Sequence, residues 1–258
     1  SPCRSPRGFA GSWLPTGCHR PRSFGAEWRL DEVSRNPLIA AVDTSDLARA
    51  EDLASRLAGT VSFLKLGLEL FTAAGPLAVA ALRAHGPVFL DLKLHDIPNT
   101  VRRAARNAGA LGPGLLSVHA LGGPAMIEAA VEGAQEGARS AGFDPPVVLG
   151  VTVLSSLAGE GLASPASLAF EAVHAGAGGV IVSGPDVGPV REVVGPEVVV
   201  VVPGIRPAGH EGNDQVRVLS PREAMEQGAD YLVVGRPISG SDDPAAAARA
   251  VLREAGVA

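Results

Sequence analysis

The segment Phe89–Thr100 (Phe-Leu-Asp-Leu-Lys-Leu-His-Asp-Ile-Pro-Asn-Thr) places charged residues at the end of an apolar run. Side chains alternate across a strand with a period of two, so Asp91 and Lys93 share one face and the leucines occupy the other. If the leucine face packs against helices, the two charges point into the interior of a barrel near its C-terminal mouth. Because an unpaired buried charge is costly, they must satisfy each other. The pair is either catalytic or a buried salt bridge that only holds register, and a third charge at Asp96 favours catalysis.

Two earlier apolar runs also end in ionisable residues. Asp43 follows Leu38–Val42, and Lys65 lies near the end of Val61–Gly67. Either residue alone could be a solvated strand end. Their occurrence at corresponding positions of successive strands indicates one shared site, because the ends of parallel strands meet at the same mouth of a barrel.

Two later segments pair glycine with arginine, as a phosphate site does. Pro203-Gly-Ile-Arg206 and Gly235-Arg236 each follow an apolar run. Barrels commonly bind phosphate with the loops after strands seven and eight, where glycine lets backbone N–H groups approach and arginine supplies a charged fork. We therefore expect a phosphorylated ligand. The polar loop between these segments predicts a lid: Ala208–Val218, with Asn213, Asp214 and Gln215.

The elements that must position these residues alternate between short apolar strands and helices rich in alanine, leucine and arginine. The predicted strands are Leu38–Val42, Val61–Gly67, Val88–Lys93, Leu115–His119, Val147–Val153, Gly179–Val182, Val198–Val202 and Tyr231–Val234. The predicted helices are Leu47–Ala58, Pro76–His85, Thr100–Ala108, Pro124–Ala141, Pro165–Ala175, Pro221–Gln227 and Pro244–Ala255. A doubly wound open sheet would give the same alternation, but eight strands favour a closed (β/α)8 TIM barrel, a single α/β domain over residues 37–258.

The composition limits the classes of partner. The chain has 258 residues, 46% of them hydrophobic, and a formal net charge of -5, so no overall positive field attracts nucleic acid or an anionic membrane. The apolar runs are too short to cross a bilayer, and Cys3 and Cys18 form no disulfide framework. These features predict a cytoplasmic protein. Residues 1–36 are rich in Pro, Gly, Ser and Arg, which predicts a disordered extension or a start assigned too far upstream, with a transit peptide as the alternative.

Taken together, these motifs resemble the orotidine 5′-phosphate decarboxylase family. Asp91-Leu-Lys-Leu-His-Asp-Ile-Pro-Asn-Thr100 closely resembles the family signature, and the resemblance runs from about Pro37 to the C-terminus. The remaining pieces follow in the family's order: Asp43, Lys65-Leu-Gly, Ser117-Val-His-Ala, Pro203-Gly-Ile-Arg206, Asn213-Asp-Gln215 and Val234-Gly-Arg236. The resemblance implies release of CO2 from orotidine 5′-phosphate to give UMP, with no cofactor.

The same resemblance implies a role for each residue at the reacting end of the site. Lys93 becomes the catalytic lysine, held in an alternating charge array with Lys65, Asp91 and Asp96. Asp43 and Lys65 would contact the ribose. The residues matching Asp96 and Thr100 reach the neighbouring subunit's site in this family, so a homodimer is implied.

At the other end, the resemblance implies that Gln215 and Arg236 bind phosphate, with Gly235 and Arg206 alongside. Ser155 stands where many relatives carry a threonine that contacts the pyrimidine, and it keeps the hydroxyl.

His95 and His119 are interpreted as structural hydrogen-bonding residues rather than proton shuttles. No cluster has metal-ligand spacing, so we predict no metal.

One rival function is that of a sugar-phosphate decarboxylase or hexulose-phosphate synthase of the same superfamily, which shares the Asp-x-Lys-x-x-Asp core but uses magnesium. The other is a noncatalytic nucleotide-binding barrel.

Overall fold

The computed structural model describes residues 36–153, 164–208 and 219–257, and these form a closed parallel barrel. Each strand pairs with the next along the chain, and the last pairs with the first. This confirms the predicted (β/α)8 barrel and excludes the doubly wound open sheet. The strands are β1 Leu38–Val42, β2 Phe63–Gly67, β3 Val88–Leu94, β4 Leu115–His119, β5 Val147–Val151, β6 Gly179–Ile181, β7 Val199–Val202 and β8 Tyr231–Val234.

The strands are apolar at nearly every position because both of their faces are buried. In β1, Leu38, Ala40 and Val42 pack in a cluster that includes helix residues, whereas Ile39 and Ala41 pack in a second cluster of strand residues alone. Parallel strands covered by helices on one side and by a filled barrel on the other have this composition. The second cluster forms the floor beneath the mouth of the barrel.

The helices surround the barrel, and six of them begin with proline. Five of these starts were predicted, whereas the helix predicted to begin at Thr100 begins two residues earlier, at Pro98. They are α1 Leu47–Leu57, α2 Leu68–Ala74, α3 Pro76–Arg83, α4 Pro98–Gly109, α5 Pro124–Ala141, α6 Pro165–His174, α7 Val187–Val194, α8 Pro221–Glu226, α9 Arg236–Ser239 and α10 Pro244–Glu254. The sequence did not predict α2, α7 and α9. Each has eight residues or fewer and lacks proline at its first position, so its apolar pattern is short and the start signal of the six helices above is missing. No helix in the described ranges is long and apolar enough to cross a membrane.

Strand β3 departs from regular pairing where it carries its charges. Leu90 pairs with Leu116 of β4 and Leu94 pairs with Val118, so three residues of β3 lie opposite one residue of β4. Within this bulge, Lys93 has a φ of 49°, in the left-handed region that residues other than glycine rarely adopt. Bulges of this kind redirect side chains and occur next to active sites.

Two glycines of α5 let it approach α4 closely, which fixes the helix that follows the charged strand. A Cβ at Gly133 would lie 2.2 Å from the carbonyl oxygen of Arg102, and one at Gly137 would overlap that of Arg106. Side chains cannot occupy these positions unless the helices separate.

We predict that Gly137→Ala destabilises the protein by about 1–3 kcal/mol, the usual cost of overpacking, although alanine favours helix. Gly188→Ala in α7 is the matched control, because no atom lies within 4 Å of a Cβ built there. It should be neutral or slightly stabilising. Urea unfolding of both variants measures the difference, and equal stabilities would contradict the proposed helix contact.

Candidate active site

The C-terminal ends of the strands enclose a cavity of about 360 Å³, within the size range of small-ligand sites. Apolar side chains of the inner cluster form its floor, and charged residues and glycines form its rim. The lining residues are Ala41, Asp43, Lys65, Phe89, Asp91, Lys93, Val151, Val153, Ile181, Ser183, Pro203, Gly204, Arg206, Val233, Gly235 and Arg236. Residues from the first three strands and the last two therefore share one cavity, as the strand-end pattern predicted.

Four charged groups form an alternating row across the ends of β1, β2 and β3. Lys65 Nζ lies 3.1 Å from Asp43 Oδ1 and 3.8 Å from Asp91 Oδ2. Lys93 Nζ lies 2.7 Å from the same oxygen of Asp91. Each lysine thus faces a carboxylate, and the row of Asp43, Lys65, Asp91 and Lys93 is electrically balanced.

Asp91 and Lys93, which are neighbours in this row, differ in their access to the cavity. The side chain of Asp91 is 8% exposed, whereas that of Lys93 is 31% exposed. Asp91 is therefore enclosed by its partners, and the ammonium group of Lys93 remains accessible to a ligand. A salt bridge that only held register would not need this opening.

Glycine at position 67 leaves room for Lys65. A Cβ built on Gly67 would lie 3.2 Å from Lys65 Nζ, closer than most side-chain carbons approach other atoms. The Lys65-Leu-Gly67 motif therefore has a steric basis in the site, because a larger residue would displace the ammonium group.

The pKa of Asp91 is set by opposing effects. Burial raises it, but the nearby charges of Lys93 and Lys65 and hydrogen bonds from Lys93 and Ser117 together hold it below the usual value of 3.8. Asp91 is accordingly an anion at neutral pH, and it is the residue that fixes both ammonium groups.

Asp96 and Thr100 lie outside the cavity of their own chain, and both are exposed. Asp96 Oδ1 accepts a hydrogen bond from the backbone N–H of Ile97, and no ion pair joins Asp96 to Lys93 within residues 36–153. The expected array of Lys93, Lys65, Asp91 and Asp96 is therefore not formed within this chain, where Asp43 occupies the fourth place. The reason is that β3 ends at Leu94, so Asp96 no longer follows the strand's inward alternation.

The predicted phosphate residues converge on the cavity from the last two strands. Gly204 and Arg206 follow β7, and Gly235 and Arg236 follow β8. Because β8 pairs with β1, these groups lie beside the strand that ends in Asp43. The described residues do not include Asn213, Asp214, Gln215 or Ser155, nor residues 1–35. The roles predicted for them therefore stay predictions.

The two histidines near Lys93 contact each other, with ring centroids 5.2 Å apart. His119 Nδ1 is buried and has no hydrogen-bond partner among the described residues. Burial, with the nearby charges of His95 and Lys93, lowers the pKa of His119. For this nitrogen, the expected structural hydrogen bond is not found, because the ring packs against another ring instead.

Sequence reasoning gave no role to Ser117 or Ser183. Ser117 Oγ donates a 2.7 Å hydrogen bond to Asp91 Oδ1, and Ser183 lines the cavity. Both hydroxyls are buried among apolar strand residues. A single polar residue inside an apolar strand, as in Leu-Leu-Ser117-Val, was the available signal. Among the described residues, no three His, Cys, Asp or Glu side chains form a group suited to a metal ion.

Comparison with known proteins agrees with this geometry. A model described as the Orotidine 5′-phosphate decarboxylase / HUMPS family matches residues 36–251. An orotidine 5′-phosphate decarboxylase from Anaeromyxobacter sp. (strain K) is 53% identical over 225 residues, which are 83% of this chain and 96% of the relative. The chain belongs to the orotidine 5′-phosphate decarboxylase family.

Other members of the orotidine 5′-phosphate decarboxylase family support the same assignment. The enzyme of that name from Moorella thermoacetica is 46% identical over 233 residues, 86% of this chain and 92% of the relative. The crystal structure of orotidine 5′-phosphate decarboxylase from Lactobacillus acidophilus superposes with a TM-score of 0.74 at 37% identity, covering 85% of this chain and 99% of that chain. The resemblance inferred from the sequence is thereby confirmed.

The lowered pKa of Asp91 predicts a pH-dependent contribution to stability. A depressed pKa in the folded state stabilises the fold above the unfolded value, near pH 4, and this contribution is lost as the pH falls through the folded value. At pH 7, Asp91→Asn should cost on the order of 1–3 kcal/mol, below the roughly 3–5 kcal/mol of a fully buried pair, because both lysines keep some solvent contact.

Urea unfolding at pH 7 and pH 3 measures this difference, which should shrink at the lower pH. Asp52→Asn is the control, since Asp52 is 70% exposed and its 3.9 Å pair with Arg56 should contribute little. A difference between wild type and Asp91→Asn that stayed constant with pH would contradict the role given to the ionised carboxylate.

Proposed function

We propose that this chain converts orotidine 5′-phosphate to UMP and CO2 without a cofactor, with Lys93 stabilising and then protonating the carbanion at C6. The observation that carries the proposal is the accessible ammonium group of Lys93, held 2.7 Å from a buried carboxylate at the rim of the cavity. Family membership supports the reaction, and the charge row supports the assignment of residues.

Substrate binding would use the two sides of the cavity. Arg206, Gly235 and Arg236 would bind the phosphate together with Gln215, since guanidinium groups and accessible backbone N–H groups suit phosphate oxygens. Asp43 and Lys65 would contact the ribose. Ser155 would contact the pyrimidine. This orientation directs the base toward β3.

The proposed chemical step needs only groups of this chain and the substrate. When the bond between C6 and the carboxylate breaks, its electron pair stays on C6 and CO2 leaves. A proton from Lys93 Nζ then forms the new C6–H bond, and the neutral amine regains a proton from solvent. In this orientation, Asp91 would lie near the departing carboxylate of the substrate as well as beside Lys93. The repulsion between the two carboxylates would be relieved as CO2 leaves.

A single charge pair does not explain catalysis of a slow reaction. At about 4 Å and an effective dielectric constant of about 20, the ammonium and the carbanion gain roughly 4 kcal/mol, worth about a thousandfold in rate. The remainder must come from charges fixed before the reaction and from phosphate binding energy. The row from Asp43 to Lys93 supplies such fixed charges.

The test of this function is turnover of orotidine 5′-phosphate by metal-stripped protein in EDTA, followed by ultraviolet absorbance. We expect wild type to be active and Lys93→Ala to lose essentially all turnover while still binding UMP. Loss of activity in EDTA would support the magnesium-dependent class, and UMP binding without CO2 release would support the noncatalytic barrel. Near-normal turnover by Lys93→Ala would refute its role.

A homodimer is the second part of the proposal, with Asp96 and Thr100 completing the partner's site. These exposed residues flank Ile97, which is 66% exposed. Leu68 and Leu121, which follow β2 and β4 at the same end of the barrel, are also exposed large hydrophobic residues. Apolar groups at three neighbouring strand ends suit a subunit contact.

The cytoplasmic location expected from the sequence stays a prediction.

Mixing two inactive variants tests the shared site. Lys93→Ala and Asp96→Asn should each be severely impaired, but a hybrid dimer has one site with Lys93 from one subunit and Asp96 from the other. After unfolding and refolding together in equal amounts, about half of the dimers are hybrids, so about a quarter of wild-type activity should return. Activity no greater than the sum of the separately refolded variants would contradict the proposal.

A further inference from the structure

The bulge in β3 interrupts its pairing with β4, and Ser117 of β4 forms hydrogen bonds at this point. Three residues of β3, from 91 to 93, lie opposite Ser117 alone. Regular ladder hydrogen bonds are interrupted there, and Lys93 takes its left-handed conformation at this point. Strained backbone conformations persist when surrounding contacts fix them.

Ser117 contacts both charged residues of the bulge. Its hydroxyl oxygen accepts the backbone N–H of Lys93 at 2.9 Å and its hydroxyl donates to Asp91 Oδ1 at 2.7 Å. The direction is fixed, because an ionised carboxylate can only accept and a backbone N–H can only donate. Ser117 is fully buried, so water does not replace either bond.

These bonds close a ring around the reactive lysine. The backbone of Lys93 is joined through Ser117 to one oxygen of Asp91, and the ammonium group of Lys93 is joined to the other oxygen at 2.7 Å. Both ends of the flexible lysine side chain are thereby fixed relative to one carboxylate.

We propose that Ser117 is a positioning residue that sets the placement of the Lys93 ammonium group, an inference that rests on the proposed function. It acts through Asp91 and the backbone of Lys93, and it does not itself line the cavity. Without the hydroxyl, the bulge can relax and the ammonium group moves relative to the position where the C6 carbanion forms. Small misplacements of this kind strongly reduce rates while leaving remote binding contacts intact.

The experiment compares Ser117→Ala, Ser117→Thr and a control, Thr152→Val. Thr152 also has a buried hydroxyl at a strand end, donating to the carbonyl of Ile181 at 3.0 Å, but it does not line the cavity. The same carbonyl also accepts the backbone N–H of Thr152, and it would keep this hydrogen bond in Thr152→Val. Thr152→Val therefore reports the effect of losing a buried hydroxyl without disturbing the bulge.

We expect Ser117→Ala to lower kcat about 10–100-fold while KM for orotidine 5′-phosphate and the affinity for UMP change less than about threefold. Ser117→Thr, which keeps a hydroxyl, should recover most of kcat, and Thr152→Val should keep it. A near-normal kcat for Ser117→Ala, an equal loss in Thr152→Val, or no recovery by threonine in a folded variant would overturn the inference. Absence of turnover in wild type would instead refute the proposed function.

Discussion

The buried carboxylate of Asp91 between two ammonium groups is the interaction on which the site depends. Burial disfavours the ionised form of Asp91, and the ammonium groups of Lys93 on one side and Lys65 on the other stabilise that form. A carboxylate in this position needs both partners, so neither lysine can move away without leaving a charge uncompensated. The balance therefore immobilises the groups that are proposed to act on the substrate.

The closed barrel makes this balance possible. Its inner cluster excludes water below the charges, and its rim opens them to a cavity of about 360 Å³. Electrostatic interactions are stronger where water is excluded and the dipoles are already oriented. The side of the cavity proposed to bind phosphate comes from the ends of β7 and β8, and β8 pairs with β1. The contacts proposed for the two ends of a nucleotide can thus be made at the same time.

Departures from regular structure are concentrated at the charged strand. The bulge in β3 and the positive φ of Lys93 interrupt a ladder that is regular on the β1 to β2 side. Ser117 fills the interruption with two directed hydrogen bonds. Alternation along a regular strand correctly predicted that Asp91 and Lys93 share a face. It could not predict the bulge, because pairing with β4 depends on residues more than twenty positions away.

Most of the barrel was readable from the sequence, because strands buried on both faces must be apolar and prolines mark the helix starts. The amino-acid order was also sufficient for the family and for the prediction that the strand-end charges share one site, since corresponding ends of parallel strands have to meet. Folding in three dimensions decided which charges touch: it brought Asp43 into the row, left Asp96 on the surface, and gave Ser117 its two partners. Such contacts depend on register and side-chain direction between distant segments, and local patterns do not encode these distances.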